Sequence, residues 1–324
     1  MVFNPQQTRQ SLKPFDIRQI VPKHGAIADY CRFYHLDFEQ DFSQVKHSCG
    51  YFEVANYWIA AHSYVVPNSK GTVWIIHGYL EHSGLYRHII PVLLTADFNV
   101  VIYDLPAHGL SSGVRASINH FGEYQTVLQH LLDYFEPHLA KPYLGLGQST
   151  GGAILMDYTL SACVNRQQPA FDKLFLLAPL IYPAKMQWLQ MKFASWWFRS
   201  VRTGLPRIFR RNTSDVDFVR FMRDEDPLQA RWIPVSWLLA LKEWIEYIHR
   251  LPQCPVPVFI VQGGQDKTVN GQYNVEFIKQ KFNVMSVLWL EEAGHQLANE
   301  RESLRQAILK LLRDFLLFSD KNVS

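Results

Sequence analysis

Residues 142–152 read PYLGLGQSTGG, and this stretch decides the fold. Apolar and small residues open it, as in a strand covered on both faces, and a helical run follows. Within it, Gly147, Ser149 and Gly151 form the pattern G-x-S-x-G, typical of a sharp turn that lifts a serine between a strand and a helix. Side chains at the two glycine positions would collide with neighbouring chain. The pattern predicts a nucleophilic Ser149, whereas an ordinary helix N-cap serine would need no partners downstream.

Strand-like runs recur on both sides of this turn. They are rich in Val, Ile, Leu and aromatic residues, and most are continuous from residue 72 onward, as in parallel strands covered on both faces. The first run resembles an antiparallel pair. The runs are 51–66, 72–78, 100–106, 142–149, 173–179, 256–264 and 284–294.

Between these runs lie segments whose apolar residues have helical spacing. The predicted helices are Tyr86 to Leu94, Phe121 to Phe135, Gly151 to Cys163, Gln272 to Phe282 and Leu304 to Phe318. Alternation of strand and helix predicts an α/β fold with a doubly wound, mostly parallel sheet.

This alternation of strands and helices divides the chain into three predicted regions. Residues 1–48 mix Pro, charge and aromatics and are expected to be a leader packed on the domain, while 49–183 and 251–324 form the core. Residues 184–250 contain no good strand but several helical pieces, which predicts a helical cap inserted after strand 6, on the side where ligands bind.

The predicted cap is basic and aromatic. Between Lys185 and Arg223 there are nine basic and two acidic residues, a net +7 that leaves −4 for the rest of the chain. One interpretation is a lid packed on the core with a solvated basic face. The other is a surface that contacts anionic membrane or holds an anionic substrate group.

An acid and a base follow Ser149 in the chain order Ser, Asp, His. Asp266 comes just after the strand 256–264, and His295 just after the strand 284–294. An aspartate there can hold an imidazole in its tautomer, and the imidazole can take the serine proton. Asp104 and Asp157 are rival acids that fit poorly, because Asp104 precedes the serine and Asp157 lies inside the following helix.

Two backbone N–H groups are needed to bind an oxyanion. We expect them from Thr150, directly after the serine, and from Tyr79, because Gly78 lets the chain turn after the strand 72–78. His77 and His82 in this loop are interpreted as hydrogen-bonding residues that shape the turn, rather than as catalytic groups or metal ligands.

Five ordered motifs resemble one branch of the α/β-hydrolases. HGYLEHSGLY (77–86), DLPAHGLSSG (104–113), GQSTGG, GGQDKTV and EEAGHQLANE look like the segments of the monoacylglycerol lipase, lysophospholipase and "serine aminopeptidase S33" (Hydrolase_4) branch. The resemblance runs from about residue 50 to the C-terminus and implies an eight-stranded α/β-hydrolase sheet. Departures are Leu85 for Arg, Ala107 for Gly, and Gln148 where a His usually precedes the serine.

The motifs and the resemblance together predict a cofactor-free, metal-free serine esterase of lipid metabolism. Its expected substrates are single-chain acyl esters of the monoacylglycerol or lysophospholipid type. An aminopeptidase of the S33 type is the alternative, and a non-catalytic lipid-binding module is a further one.

Composition excludes other classes. The chain has 324 residues, is 48% hydrophobic, and carries a net charge of +3, so it lacks the basic field that nucleic-acid binding needs. No window resembles a signal peptide or a spanning helix. Four scattered cysteines show no spacing suited to zinc, and we expect a cytoplasmic protein with reduced thiols.

Overall fold

A computed structural model describes residues 3–165, 167–184, 204–209 and 211–318. The predicted mostly parallel, eight-stranded sheet is confirmed, with strands in the order β1-β2-β4-β3-β5-β6-β9-β10. β2 pairs antiparallel with both β1 and β4, and the other pairs are parallel. The strands are β1 (Lys46–Val54), β2 (Tyr57–Val65), β3 (Thr72–Ile76), β4 (Asn99–Tyr103), β5 (Tyr143–Gln148), β6 (Lys173–Leu177), β9 (Cys254–Gly263) and β10 (Phe282–Leu290).

Helices cover both faces of this sheet. In β3, Trp74 and Ile76 lie in one apolar cluster, whereas Val73 and Ile75 lie in a second cluster on the opposite face. Both faces are therefore buried, which explains why the central strands are continuous apolar runs. The helices are α1 (Pro5–Ser11), α2 (Ala26–Tyr34), α3 (Ile90–Thr95), α4 (Gly122–Phe135), α5 (Thr150–Val164), α6 (Val216–Arg220), α7 (Val235–Ile248), α8 (Gly271–Lys281) and α9 (Glu302–Leu317).

Four of the five predicted helices agree with the structure to within two residues at each end. The predicted helix at Tyr86 begins only at Ile90, after a 3₁₀ turn over Ser83–Leu85. Pro91 lies in its first turn, where the missing N–H of proline costs no helical hydrogen bond.

The described part of the 184–250 segment contains a feature that the sequence did not predict. Leu205–Pro206 (β7) and Trp232–Ile233 (β8) form a short antiparallel ribbon, so the expectation of no strand there is wrong. α7 packs on the core: the Trp244 ring stacks on Phe121, and Trp244 Nε1 donates to Asp157 Oδ2 at 3.0 Å.

Much of the predicted basic aromatic surface lies outside the described residues, so a separate cap stays a prediction. This applies to Lys185, Trp188, Lys192, Phe193, Trp196, Trp197, Phe198, Arg199, Arg202 and Arg210.

The N-terminal segment lies against the sheet. Its second helix, α2, buries Tyr30, Cys31 and Tyr34 in the same apolar cluster as strands β2 to β4. Pro14 bridges to Tyr51, and β1 already begins at Lys46. The boundaries assigned to leader, core and cap remain predictions.

Cys163 and Cys254 form a disulfide between α5 and β9, so the expectation that all four thiols are reduced is wrong for this pair. Cys31 and Cys49 are free.

None of the described helices is long and apolar enough to cross a membrane.

Candidate active site

The turn at Ser149 joins β5 to α5 and has the geometry that its glycines suggested. Ser149 has φ 52° and ψ −112°, a positive-φ conformation that L residues rarely adopt. A Cβ on Gly151 would lie 1.9 Å from the Ile76 carbonyl oxygen, and one on Gly147 would lie 2.5 Å from the Gly152 nitrogen. Only glycine at these positions lets α5 start so close to β3 and β5.

The structure brings the three predicted side chains together at the carboxyl edge of the sheet. Ser149 Oγ lies 2.9 Å from His295 Nε2, and His295 Nδ1 lies 2.7 Å from Asp266 Oδ2. Ser149 and His295 are 6% and 5% exposed, so the chain of contacts is largely shielded from water. The elements responsible are β5, β9 and β10, whose carboxyl ends meet at this edge.

Asp266 is held by more than the imidazole. Its Oδ1 accepts from the backbone N–H of Thr268 at 2.7 Å and of Val269 at 3.1 Å, and Gln262 Nε2 donates to Oδ2 at 3.1 Å. Burial alone would raise the pKa of this carboxyl, but the His295 contact and these donors outweigh it and hold the pKa below its ordinary value. Asp266 is therefore ionised at neutral pH.

The pKa of His295 is shifted in the opposite direction to that of Asp266. Burial lowers the pKa of its imidazole, but the ion pair and hydrogen bond with Asp266 outweigh burial and raise the pKa above the ordinary value. The backbone at His295 is fixed on both sides, since its N–H donates to Asn212 O at 2.7 Å and its carbonyl accepts from Gln148 Nε2 at 2.8 Å. Gln148, which departs from the family pattern, thus positions the histidine loop.

The predicted oxyanion donors lie in the two expected loops. The backbone N–H groups of Tyr79 and Thr150 donate to no residue within the described ranges, which leaves them available for an external acceptor. The Tyr79 side chain is fixed, because its hydroxyl donates to Ala116 O at 2.8 Å and its ring stacks 3.6 Å from the Trp237 ring. The neighbouring Gly78 N–H donates to Glu81 Oε2 at 3.1 Å.

Two buried glutamates join these loops, and neither was singled out from the sequence. Glu81 Oε1 accepts from Gln296 Nε2 at 2.8 Å, which ties the loop after β3 to the histidine loop. Glu300 accepts from the Gly294 N–H at 2.6 Å and from the Ser214 N–H at 2.9 Å, which ties the histidine loop to the segment after β7. Both glutamates lie inside the motifs quoted above for the resemblance, and this was the available signal.

The rival acids and the loop histidines have other partners. Asp104 accepts from the Ser83 N–H at 2.7 Å and the Leu110 N–H at 2.6 Å. His77 Nε2 accepts from the Leu105 N–H at 2.9 Å, and His82 Nε2 lies 2.9 Å from Asp226 Oδ2. These contacts fit the interpretation of His77 and His82 as residues that shape the loop.

An eight-stranded sheet of this order, with a serine on a strained turn after β5, defines the chain as an α/β-hydrolase. The family model described as "Serine aminopeptidase, S33" (Hydrolase_4) matches residues 67–302, and the chain belongs to this family.

Several proteins similar in sequence to this chain are named as lipases. The chain is 26% identical over 239 residues to the monoglyceride lipase of Mus musculus, covering 70% of this chain and 74% of that protein. It is 24% identical over 251 residues to phospholipase YtpA of Bacillus subtilis, covering 74% and 93%. A monoglyceride lipase structure from Saccharomyces cerevisiae with a substrate analogue has a TM-score of 0.68 at 16% identity, covering 83% and 93%, and shares the fold.

Proposed function

We propose that this protein is a serine hydrolase that cleaves carboxylic esters through an acyl-enzyme. The observation that carries the proposal is the line of contacts from Ser149 Oγ through His295 to the ionised Asp266, built on a strained turn. A serine that merely caps a helix would have no need of a base and an acid aligned behind it.

In the proposed mechanism, His295 accepts the Ser149 proton as Oγ attacks the ester carbonyl carbon. Asp266 stabilises the imidazolium and fixes its tautomer without taking the proton. The N–H groups of Thr150 and Tyr79 bind the oxyanion of the tetrahedral intermediate. His295 then protonates the leaving alcohol, and a water activated by the same imidazole releases the acid.

The proposed substrates are single-chain acyl esters of the monoacylglycerol or lysophospholipid type. The names of the relatives, monoglyceride lipase and phospholipase, support this class. An aminopeptidase needs a free carboxylate for the substrate ammonium, but Glu81, Asp226 and Glu300 all have internal partners.

One cation favours substrates with an anionic head group. Arg207, just after β7, forms no ion pair with any described carboxylate; it donates to Gln229 Oε1 at 2.5 Å and lies 4.4 Å from the Phe209 ring centre. Burial lowers its pKa to about 10, against the raising effect of Asp226 and Glu81, so it stays charged at neutral pH. A lysophospholipid phosphate would form with Arg207 the ion pair that no described carboxylate forms.

A substrate panel tests this proposal. We expect turnover of monoacylglycerols and lysophospholipids and none of aminoacyl anilides. Arg207→Gln should raise KM for lysophospholipids and leave monoacylglycerol turnover nearly unchanged. Faster hydrolysis of the anilides than of every ester would overturn the esterase proposal, whereas an equal Arg207→Gln effect on both ester types would overturn only the head-group part.

A further inference from the structure

We infer that Cys31, His47 and His62 form a binding site for a zinc ion that fastens the N-terminal segment to the sheet. Each of the three side chains can present one ligand atom, and these atoms all lie within 4.8 Å of one another. All three residues are fully buried. None of them belongs to the candidate active site, so this inference is independent of the proposed function.

Three separate elements supply the ligands. Cys31 comes from α2, His47 from β1 and His62 from β2. In the β1–β2 register, Cys49 is opposite His62, which puts His47 diagonally across from His62 on the same face of the hairpin. α2 packs on that face through Tyr30, whose ring stacks on His62 at 5.7 Å. Because the ligands are brought together by strand pairing, sequence spacing gave no sign of them.

The distance between the two imidazole nitrogens is close to that in a zinc site. His47 Nε2 and His62 Nδ1 are 2.9 Å apart. Two nitrogens on a tetrahedral zinc, each bound at about 2.0–2.1 Å, are about 3.3 Å apart, so the rings need to separate by only a few tenths of an ångström. Thiolate sulfur and imidazole nitrogen are ligand types that zinc takes in proteins, and these three side chains leave the fourth tetrahedral position to a further ligand.

The outer nitrogens of both imidazoles also face suitable partners. His47 Nδ1 lies 3.3 Å from Glu39 Oε2, and neither atom makes an aligned hydrogen bond with any of the described residues. His62 Nε2 lies 3.7 Å from Cys49 Sγ. Histidine ligands of zinc commonly donate their other N–H to a carboxylate, which fixes the tautomer and makes the ligand more basic.

Charge favours a divalent ion. Binding would release the Cys31 thiol proton to solvent and form a zinc–sulfur bond. The resulting thiolate and the Glu39 carboxylate carry two negative charges, which together neutralise Zn²⁺ in this buried setting.

Zinc binding by the 324-residue chain, with the Cys163–Cys254 disulfide intact, tests the inference. We expect about one zinc per chain by mass spectrometry of the metal, a higher Tm when Zn²⁺ is added, and a thiolate-to-metal band when Co²⁺ replaces it. Cys31→Ser and His62→Ala should abolish this binding, and Glu39→Gln should weaken it by about 10–100-fold. Cys49→Ser, the other free thiol, should retain one zinc, as should Ser149→Ala.

The inference fails if the wild-type chain takes up no zinc and shows no thiolate band with Co²⁺, a result that does not depend on how well any variant folds. It also fails if Cys31→Ser binds zinc as tightly as the wild type. Loss of zinc binding in Cys49→Ser, with retention in Cys31→Ser, would show that Cys31 is not the sulfur ligand.

Discussion

Asp266 holds the His295 imidazole with one oxygen and two backbone N–H groups with the other. In Asp266→Asn the side chain loses its charge, and its amide favours the wrong imidazole tautomer. In serine proteases this change costs about 10⁴ in kcat. We therefore expect Asp266→Asn to lower kcat on a soluble ester by about that factor, with an unchanged far-UV circular dichroism spectrum.

Asp104→Asn is the matched control. Asp104 ties Ser83 and Leu110 together and does not contact the imidazole. We expect a lower Tm and a far smaller fall in kcat. An inactive Asp104→Asn beside an active Asp266→Asn would show that the acid has been assigned wrongly.

The pH profile tests the base. His295 must be neutral to accept the serine proton, and its contact with Asp266 raises its pKa above the ordinary value of about 6.5. Activity should therefore be fully present at alkaline pH and be lost as the pH falls through this raised pKa. The acid limb of kcat/KM for an uncharged ester should have its midpoint above about 6.5, and a midpoint well below it would contradict the assignment.

For individual residues, the sequence identified the reacting side chains better than it identified the residues that position them. Ser149, Asp266 and His295 each follow a recognisable strand, so their meeting could be predicted from the fold. The Gln296–Glu81 and Ser214–Glu300 contacts join residues 215 and 86 positions apart. No local pattern encodes such pairings, because they depend on how loops from different strands settle against one another.

Among the elements, the β5–α5 turn is the most constrained. In Gly151→Ala the added methyl would meet the Ile76 carbonyl oxygen at 1.9 Å, so either β3 or α5 has to move. We expect a large fall in both Tm and activity. Gly152→Ala is the control, since its methyl would approach no atom closer than 3.3 Å. Equal tolerance of both substitutions would show that the turn is looser than described.

Element boundaries were predictable where the burial pattern is simple. The central strands are buried on both faces and end at Gly, Pro or polar residues, and their predicted ends were close to the observed ones. The β7–β8 ribbon has two residues in each strand and is held by contacts such as the Arg207 N–H to Arg231 O at 2.9 Å. A strand this short has no alternation to detect.

On the scale of the whole molecule, the core and the segment between β6 and β9 together should determine which acyl chains are accepted. If apolar side chains of this segment line an acyl pocket, each methylene buried contributes up to about 0.8 kcal/mol, or about fourfold in kcat/KM. We expect kcat/KM to rise from acetyl to octanoyl p-nitrophenyl esters until the pocket is full. A strict preference for acetyl esters would exclude such a pocket.

The central claim, that Ser149 is the nucleophile, is tested most directly by covalent labelling with a fluorophosphonate. The wild-type protein should take up one label, located on Ser149 by peptide mass spectrometry, and should lose its esterase activity in parallel. Ser149→Ala should fold, bind no label and hydrolyse no ester. Stoichiometric labelling of Ser149→Ala, or retained turnover by it, would contradict the account.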